Sequence, residues 1–265
     1  MKKFLTISVI FTLVIILTSC KDDKSLNVFT VNQDIEFGQA LDGEITGNPS
    51  EYPVLSETNY PDAYDHIRRI RDNILASGEL KYADRFPWEV KIINADVLNA
   101  FAGPGGYMYF YTGLIKFLDD EAQFAGVMAH EMAHADRRHS TDNLTKQYGI
   151  SIMLGIIVGD NPGQLAEIAA GWANGLSSLA FSRANEYEAD EYAIKYLKNT
   201  DYSPCSLGVF FSKMKDQEGT ARPPVFLSTH PSPEDRLEKI NENCAGSTGE
   251  LFVTRYQEFQ NSLPQ

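Results

Sequence analysis

The stretch HEMAH, residues 130–134, decides what kind of fold this chain can form. In an α-helix, residues four apart lie on one face, so the imidazoles of His130 and His134 point the same way. Two such rings can bind a single Zn²⁺, and Glu131 beside them can act as a general base towards water. The stretch therefore predicts a buried helix that carries part of a zinc site.

A third ligand must come from elsewhere in the chain, because a catalytic zinc takes three protein ligands and keeps one position open. His139 lies about 140° round the helix from His134, and no glycine offers a turn between them. We therefore expect His139 to lie on the surface or to support a ligand from outside. The alternative without metal chemistry is a helix with two hydrogen-bonded histidines.

A second helix is predicted around SRANEYEAD, residues 182–190. Glu186 and Asp190 are four apart and share a face, whereas Glu188 is rotated by about 200° from Glu186. Small residues in this helix predict that it is partly buried, where an unpaired carboxylate is costly. We expect Glu186 to bind the zinc and Asp190 to orient a ligating histidine through its free ring nitrogen.

The two motifs together resemble a gluzincin metallopeptidase family that includes CAAX prenyl proteases and proteases of the HtpX and BepA type. The resemblance covers about residues 60 to 245. No membrane-spanning helix is predicted in this part of the chain, and in this respect the chain resembles the periplasmic branch of the family. It implies an α+β fold: a mainly helical, zincin-like metallopeptidase domain with one small β-sheet, whose edge strand borders the active site. It also implies one Zn²⁺ per chain, with Glu186 as the third ligand after His130 and His134.

Asn99, Ala100, Phe101 and Ala102, followed by Pro104-Gly105-Gly106, resemble the family's edge strand beside the active site. An exposed edge can hydrogen-bond an extended peptide with little sequence preference. The resemblance therefore implies that these four residues bind substrate.

The segment around His230 resembles the family's Thr-His-Pro segment, with Arg236 in the helix that follows. His230 has two functional interpretations: it can donate a hydrogen bond to the oxyanion during catalysis, or occupy the open zinc position in a resting enzyme. A histidine without a role is the third interpretation. Arg236 is expected to assist the oxyanion or to support the ligands.

The first twenty residues predict targeting rather than fold. Two lysines, an apolar run too short to span a bilayer comfortably and the ending LTSC resemble a lipoprotein signal peptide over residues 1–19, with Cys20 as the lipidated residue. A short transmembrane anchor is the alternative. We expect an outer-membrane lipoprotein in the envelope of a Gram-negative bacterium, facing the periplasm or the surface, with a tether and irregular lead-in over 20–56 and the zinc domain over 57–265.

The amino-acid composition excludes several classes of protein. Hydrophobic residues make up 43% of the 265 residues, which excludes a wholly disordered chain, and the mean hydropathy of −0.27 excludes a polytopic membrane protein. A formal charge of −13 argues against nucleic acid as a partner. Cys205 and Cys244 remain after Cys20, and outside the cytoplasm they suggest a disulfide, with two free thiols as the alternative.

The rest of the chain predicts a few further elements. We expect an amphipathic helix from Pro61 to Gly78, a strand with one wet face over 88–92, two strands over 99–102 and 107–111, and mostly helices after Leu118. The apolar run 150–158 predicts a helix packed over the core, or a mobile cover over a cleft.

The leading hypothesis is a zinc-dependent endopeptidase that hydrolyses unfolded or misassembled envelope proteins, with Glu131 as general base and acid. His230 and Asp190 would assist catalysis. A zinc aminopeptidase is one alternative. The other is a chaperone-like assembly or binding factor for outer-membrane proteins, which would associate with their assembly machinery.

Overall fold

The computed structural model describes residues 27–157, 163–175, 180–217, 224–231 and 235–265. The predicted signal peptide and Cys20 lie outside the described residues. Within them, the helices are α1 (Val31–Gly47), α2 (Pro61–Leu75), α3 (Thr112–Phe117), α4 (Glu121–Asp136), α5 (His139–Tyr148), α6 (Ile150–Ile157), α7 (Gln164–Gly175), α8 (Arg183–Leu197), α9 (Ser206–Lys215), α10 (Val225–Thr229), α11 (Arg236–Cys244) and α12 (Val253–Asn261). The strands are β1 (Val90–Ile93), β2 (Ala100–Gly103) and β3 (Tyr107–Tyr111). This mainly helical chain with one small sheet confirms the predicted α+β class.

The sheet is small and buried. Its order is β1-β3-β2, with β1 parallel to β3 and β2 antiparallel to it, so β2 lies at an edge. The predicted alternation over 88–92 is present: Glu89 is exposed and Lys91 is half-buried, whereas Trp88, Val90 and Ile92 are buried. The strand continues to Ile93, which pairs with Val54 and is also buried.

Helix α4 forms the centre of the fold, and every residue in it is buried. The Asp120 side chain caps its first turn by accepting a hydrogen bond from the backbone N–H of Gln123. A Cβ at Gly126 would lie 3.1 Å from Leu207 Cα, so this glycine allows α9 to pack closely. Helix α8 packs along another side of α4, which brings the two predicted motifs together.

The prediction of an irregular lead-in over 20–56 is wrong for residues 31–47, which form α1. Phe37, Leu41 and Ile45 recur at the four-residue spacing of a helix and are fully buried. The three glycines of this segment obscured that pattern because glycine disfavours helices. Gly38 has a packing reason: a Cβ there would lie 2.0 Å from the Pro104 carbonyl oxygen, so α1 rests directly on the β2–β3 turn.

Two further predictions concern α6 and the cysteines. Helix α6 buries Met153 against the rest of the chain and leaves Ile150 and Leu154 exposed. None of the described helices combines the length and apolarity that a membrane crossing requires. Cys205 and Cys244 are joined by a disulfide, which ties the start of α9 to the end of α11.

Candidate metal centre

The two histidines of the HEMAH stretch face the same point in the interior. His130 and His134 both lie on α4, are fully buried, and place their Nε2 atoms 3.1 Å apart. The four-residue spacing on a regular helix produces this approach. Neutral imidazole nitrogens that meet in this way leave lone pairs directed at a shared position, which suits a metal ion.

Glu186 reaches the same position from α8. Its two oxygens lie 3.5 Å from the Nε2 atoms of His130 and His134, and its side chain is fully buried. The Ser182 side chain starts α8 by accepting a hydrogen bond from the Asn185 N–H, so Glu186 lies in the first turn. The structure thus brings together the three side chains that the sequence predicted to meet.

His230 joins this group from the end of α10. Its Nδ1 lies 3.1 Å from Glu186 Oε1 and 3.3 Å from His130 Nε2. One potential ligand atom from each of these residues and from His134 falls within 4.8 Å of the others. His230 is therefore part of the centre and is not a histidine without contacts to it.

Asp190 and Arg236 lie directly behind the centre. Asp190 Oδ1 is 2.9 Å from His130 Nδ1, the ring nitrogen that faces away from the other ligand atoms. Arg236 donates to both oxygens of Asp190 and lies 2.7 Å from Glu186 Oε2. Its fully buried guanidinium partly neutralises two carboxylates that would otherwise be costly to bury.

Glu131 is fully buried beside the centre, with Oε1 at 3.4 Å from His230 Nε2. Its oxygens accept no hydrogen bond of ordinary geometry from the residues that the structure describes, although the Ala102 backbone N–H approaches them. Burial raises the pKa of Glu131, and the nearby charge of His230 and this backbone N–H oppose that rise. A buried carboxylate that is so weakly hydrogen-bonded is available to exchange a proton with a molecule in the cleft.

The carboxylates around His130 favour positive charge on it, whereas burial holds the pKa of His134 well below its usual range. Burial alone would lower the pKa of His130, but hydrogen bonds that its ring donates to Asp190 and Glu186 outweigh burial and raise that pKa to about 9. Burial likewise would raise the pKa of Glu186, but the charges of His230 and Arg236 hold it well below the usual range. Imidazole nitrogens together with one carboxylate form the donor set that Zn²⁺ prefers, so the residues present fit this ion.

The predicted substrate segment runs beside the centre along β2. Because the Asn99 carbonyl accepts from Tyr111 N–H, the alternation of an antiparallel pair directs the backbone groups of Ala100 and Ala102 to the outer edge. Ser140 Oγ lies 3.3 Å from the Ala102 carbonyl, so α5 covers one end of this edge. Phe101 stacks on Tyr109 at 4.6 Å between ring centroids and does not face the centre.

A cavity of about 550 Å³ opens between this edge and His230. Its wall includes the aromatic side chains of Phe101, Trp172 and Phe181, and Lys146 lies at its border. Phe181 also stacks on the His134 ring, with centroids 4.0 Å apart. No local sequence pattern predicts this aromatic wall, since its residues come from three distant segments of the chain.

His139 and Glu188 lie beside the centre without joining the candidate ligands, and His139 supports a ligand from outside, which was one of the two positions expected for it. His139 is almost fully buried, and its Nδ1 lies 3.0 Å from His134 Nδ1. The assumption of a continuous helix was wrong here, because α4 ends at Asp136 and Arg138 adopts a left-handed backbone conformation (φ 62°). Glu188 points away from Glu186 as predicted and instead meets His139 at 3.2 Å.

Comparison with known proteins supports a metal-binding role for this centre. The profile of Peptidase family M48 matches residues 62–244. The beta-barrel assembly-enhancing protease of Escherichia coli is 34% identical over 183 residues, which cover 65% of this chain and 37% of that protein. The putative beta-barrel assembly-enhancing protease of Vibrio cholerae is 28% identical over 230 residues, 82% of this chain and 45% of that protein.

The mitochondrial metalloendopeptidase OMA1 of Schizosaccharomyces pombe is 30% identical over 196 residues, 73% of this chain and 56% of that protein. The chain thus spans between about a third and somewhat more than half of the length of these relatives. The profile match includes both motif helices, α4 and α8, and covers more than half of the chain. This chain therefore belongs to peptidase family M48.

Proposed function

We propose that this chain is a zinc-dependent metalloendopeptidase. The observation that carries the proposal is the meeting of His130, His134 and Glu186 around one buried point, with Glu131 beside it. Membership of a peptidase family supports the same reaction. When bound, Zn²⁺ supplies Lewis acidity, which polarises a peptide carbonyl and makes a nearby water more acidic.

His130, His134 and Glu186 would hold the zinc, and Asp190 would fix the orientation of His130. Glu131 takes a proton from the attacking water and delivers it to the amine that leaves. Its burial excludes bulk water from the proton transfer, and its weak hydrogen bonding to the described residues leaves its oxygens available for this exchange.

For His230 the geometry favours closure of the site at rest. Its Nδ1 lies among the ligand atoms of the other three residues, where a substrate carbonyl or a water would otherwise sit. Substrate must therefore displace His230, after which its ring remains close enough to donate a hydrogen bond to the oxyanion.

Substrate binding would use the outer edge of β2 and the cavity beside it. The Ala100 backbone groups can pair with an extended peptide, and pairing at the Ala102 carbonyl would replace its contact with Ser140. Such pairing favours unfolded chains over folded ones. The aromatic wall of the cavity favours a large apolar side chain. Such side chains are exposed in unfolded or misassembled proteins and buried in native ones.

We also propose where in the cell this protein acts and which class of substrate it cleaves. The predicted signal peptide and Cys20 favour a lipoprotein attached to a membrane of the bacterial envelope. Two relatives are named for enhancing beta-barrel assembly, which supports outer-membrane proteins in misassembled form as substrates. A second candidate function is assistance to assembly through binding, since the same names state that these proteases enhance assembly.

Glu131→Gln tests the proposed chemistry. The amide keeps the shape of the side chain but cannot accept a proton, so casein cleavage should fall by about 10²- to 10⁴-fold while zinc content stays at one per chain. Glu191→Gln, an exposed glutamate of α8, is the matched control and should cleave normally.

Three outcomes separate the alternatives. Undiminished cleavage by the Glu131→Gln variant would contradict the assigned role. Cleavage restricted to peptides with a free N-terminus would indicate an aminopeptidase. Full rescue of a deletion strain by the inactive variant would indicate a binding or assembly factor.

A further inference from the structure

The ring nitrogen of His134 that faces away from the candidate zinc position contacts another imidazole and not a carboxylate. Its Nδ1 lies 3.0 Å from Nδ1 of His139, and His139 is only 3% exposed. For His130, the corresponding nitrogen lies 2.9 Å from Asp190. The two histidines of the motif are thus supported by different chemistry.

Metal binding through His134 Nε2 would set which nitrogens of this contact carry hydrogen. A neutral His134 that offers its Nε2 lone pair to a metal carries its hydrogen on Nδ1. That hydrogen can only be accepted by a bare Nδ1 of His139, which then carries its own hydrogen on Nε2. His139 Nε2 lies 3.2 Å from Glu188 Oε2, a carboxylate that accepts it.

Glu188 is itself held in place. Arg137 Nε donates to Glu188 Oε1 at 2.7 Å, and the Arg137 guanidinium lies over the Tyr192 ring at 4.4 Å. Glu188 belongs to α8, two residues from Glu186, and the helix directs it away from Glu186 to Arg137 and His139, just after the C-terminal end of α4. One acid of α8 thus reaches the candidate ligand atoms, and the other reaches the histidine behind His134.

We propose that His139 and Glu188 are positioning residues for His134, acting in series as Asp190 acts alone for His130. This inference rests on the proposed zinc-dependent function. The series holds the His134 ring in the orientation and the tautomer that present Nε2 to zinc, and the Glu188 charge increases the basicity of that nitrogen through His139.

The backbone places His139 for this role. Arg138 adopts the left-handed conformation between α4 and α5, which turns His139 back towards His134. The Arg138 side chain forms an ion pair with Asp34 and donates to the Phe29 carbonyl. These contacts offset the cost of the left-handed conformation in a residue other than glycine.

The test measures the Zn²⁺ affinity of the full chain by competition with a chromophoric chelator for three substitutions at one position. In His139→Asn the amide oxygen lies near the former Nδ1 and can still accept from His134. In His139→Gln the polar group lies near the former Nε2, and in His139→Phe there is none. We expect affinity to fall by about 10- to 100-fold for Gln and Phe and by less than tenfold for Asn.

Glu188→Gln should also weaken Zn²⁺ binding, whereas Glu191→Gln on the same helix should not. If His139 only filled space, the Zn²⁺ affinity would follow the size of the side chain, and the His139→Gln variant would bind Zn²⁺ more tightly than the His139→Asn variant. Thermal unfolding of the metal-free proteins, followed by circular dichroism, checks that each variant folds. If a His139 variant does not fold, the Zn²⁺ affinity of the Glu188→Gln variant decides the test. Glu188 is about one-third exposed, so its substitution should disturb folding less.

Wild-type affinity in all variants, or tighter binding by Gln than by Asn, would overturn the inference. Casein cleavage by the wild-type chain is measured in parallel. A chain that binds Zn²⁺ with the expected order but cleaves nothing contradicts the proposed function alone. A chain that cleaves while its variants bind Zn²⁺ normally contradicts only the positioning roles.

Discussion

A single buried cation stabilises the carboxylates of the candidate metal centre. Arg236 is fully buried and contacts the carboxylates of Asp190 and Glu186. Its guanidinium also lies 4.0 Å from the centroid of the Phe211 ring. A planar cation suits this place because it can pair with two carboxylates and stack on an aromatic ring at once.

Arg236→Gln should destabilise the metal-free protein by about 3 to 5 kcal/mol, because it leaves two buried carboxylates without their counter-charge. Urea unfolding measures the loss, and saturating Zn²⁺ should reduce it by replacing the positive charge. Lys239→Gln is the control on the same helix and should change stability by less than about 0.5 kcal/mol. A loss below about 1 kcal/mol for Arg236→Gln would show that the carboxylates do not need this partner.

Glu121, at the first position of α4, predicts a pH dependence of stability. Burial alone would raise its pKa, but hydrogen bonds from Arg69, Arg255 and Tyr202 outweigh burial and lower it below the ordinary value. A carboxyl group with a lowered folded-state pKa stabilises the fold above its unfolded-state pKa, about 4.3, and this contribution is lost as pH falls through the folded-state value.

We expect Glu121→Gln to cost about 1 to 3 kcal/mol at pH 7 and progressively less as the pH falls below about 4.3. Unfolding of the wild type and the variant in urea across this pH range measures the difference. Glu238→Gln, an exposed glutamate of α11, serves as control. A difference that does not vary with pH would contradict the assignment to Glu121.

At the scale of elements, α1 is a structural part of the site although it precedes the family match. Phe37 of α1 meets the Trp172 ring of α7 at 5.6 Å between centroids, and Trp172 lines the cavity beside the centre. Asp34 of α1 holds Arg138 at the turn before His139. The helix therefore supports both the wall of the cavity and the end of α4.

Two glycines of α1 provide a matched test of this docking. Gly38→Ala should destabilise the protein by about 1 to 3 kcal/mol, because its Cβ would lie 2.0 Å from the Pro104 carbonyl oxygen. Gly43→Ala has no atom within 4 Å of the new Cβ and should stabilise by about 0.5 to 1 kcal/mol through helix propensity. Thermal unfolding compares the two, and equal effects would contradict direct packing of α1 on the turn.

At the scale of the whole molecule, the candidate ligands join three separate parts of the chain. His130 and His134 come from α4, Glu186 from α8 and His230 from the end of α10. A ligand that binds the folded state alone stabilises it by mass action. Metal binding at this centre is therefore coupled to the packing of these segments.

Zn²⁺ at 100 times its dissociation constant should raise the free energy of unfolding by about 2.7 kcal/mol. A chelator should reverse this gain, and Glu186→Gln should lose most of it because a neutral amide is a poor ligand. Urea unfolding with and without Zn²⁺, together with metal analysis, measures both effects. The same gain in Glu186→Gln would show that Glu186 is not a ligand.

Local patterns in the sequence predicted most of the elements that carry the candidate site. The HEMAH and EYEAD spacings follow from helix geometry alone, and the sequence predicted that His130, His134 and Glu186 would meet. The three strands were likewise predicted to within a few residues. The helices and strands are readable because each depends on residues that are close together in the chain, whereas the meeting of Glu186 with the two histidines was implied by the resemblance of both motifs to a known family.

Only the tertiary structure decided the surroundings of these residues. It showed that His139 turns back to His134, that Glu188 meets His139, and that Arg236 lies between Asp190 and Glu186. It also placed α1 against the β2–β3 turn. These contacts join side chains many residues apart, and their geometry depends on helix packing and on one left-handed residue, Arg138, that no local sequence pattern specifies.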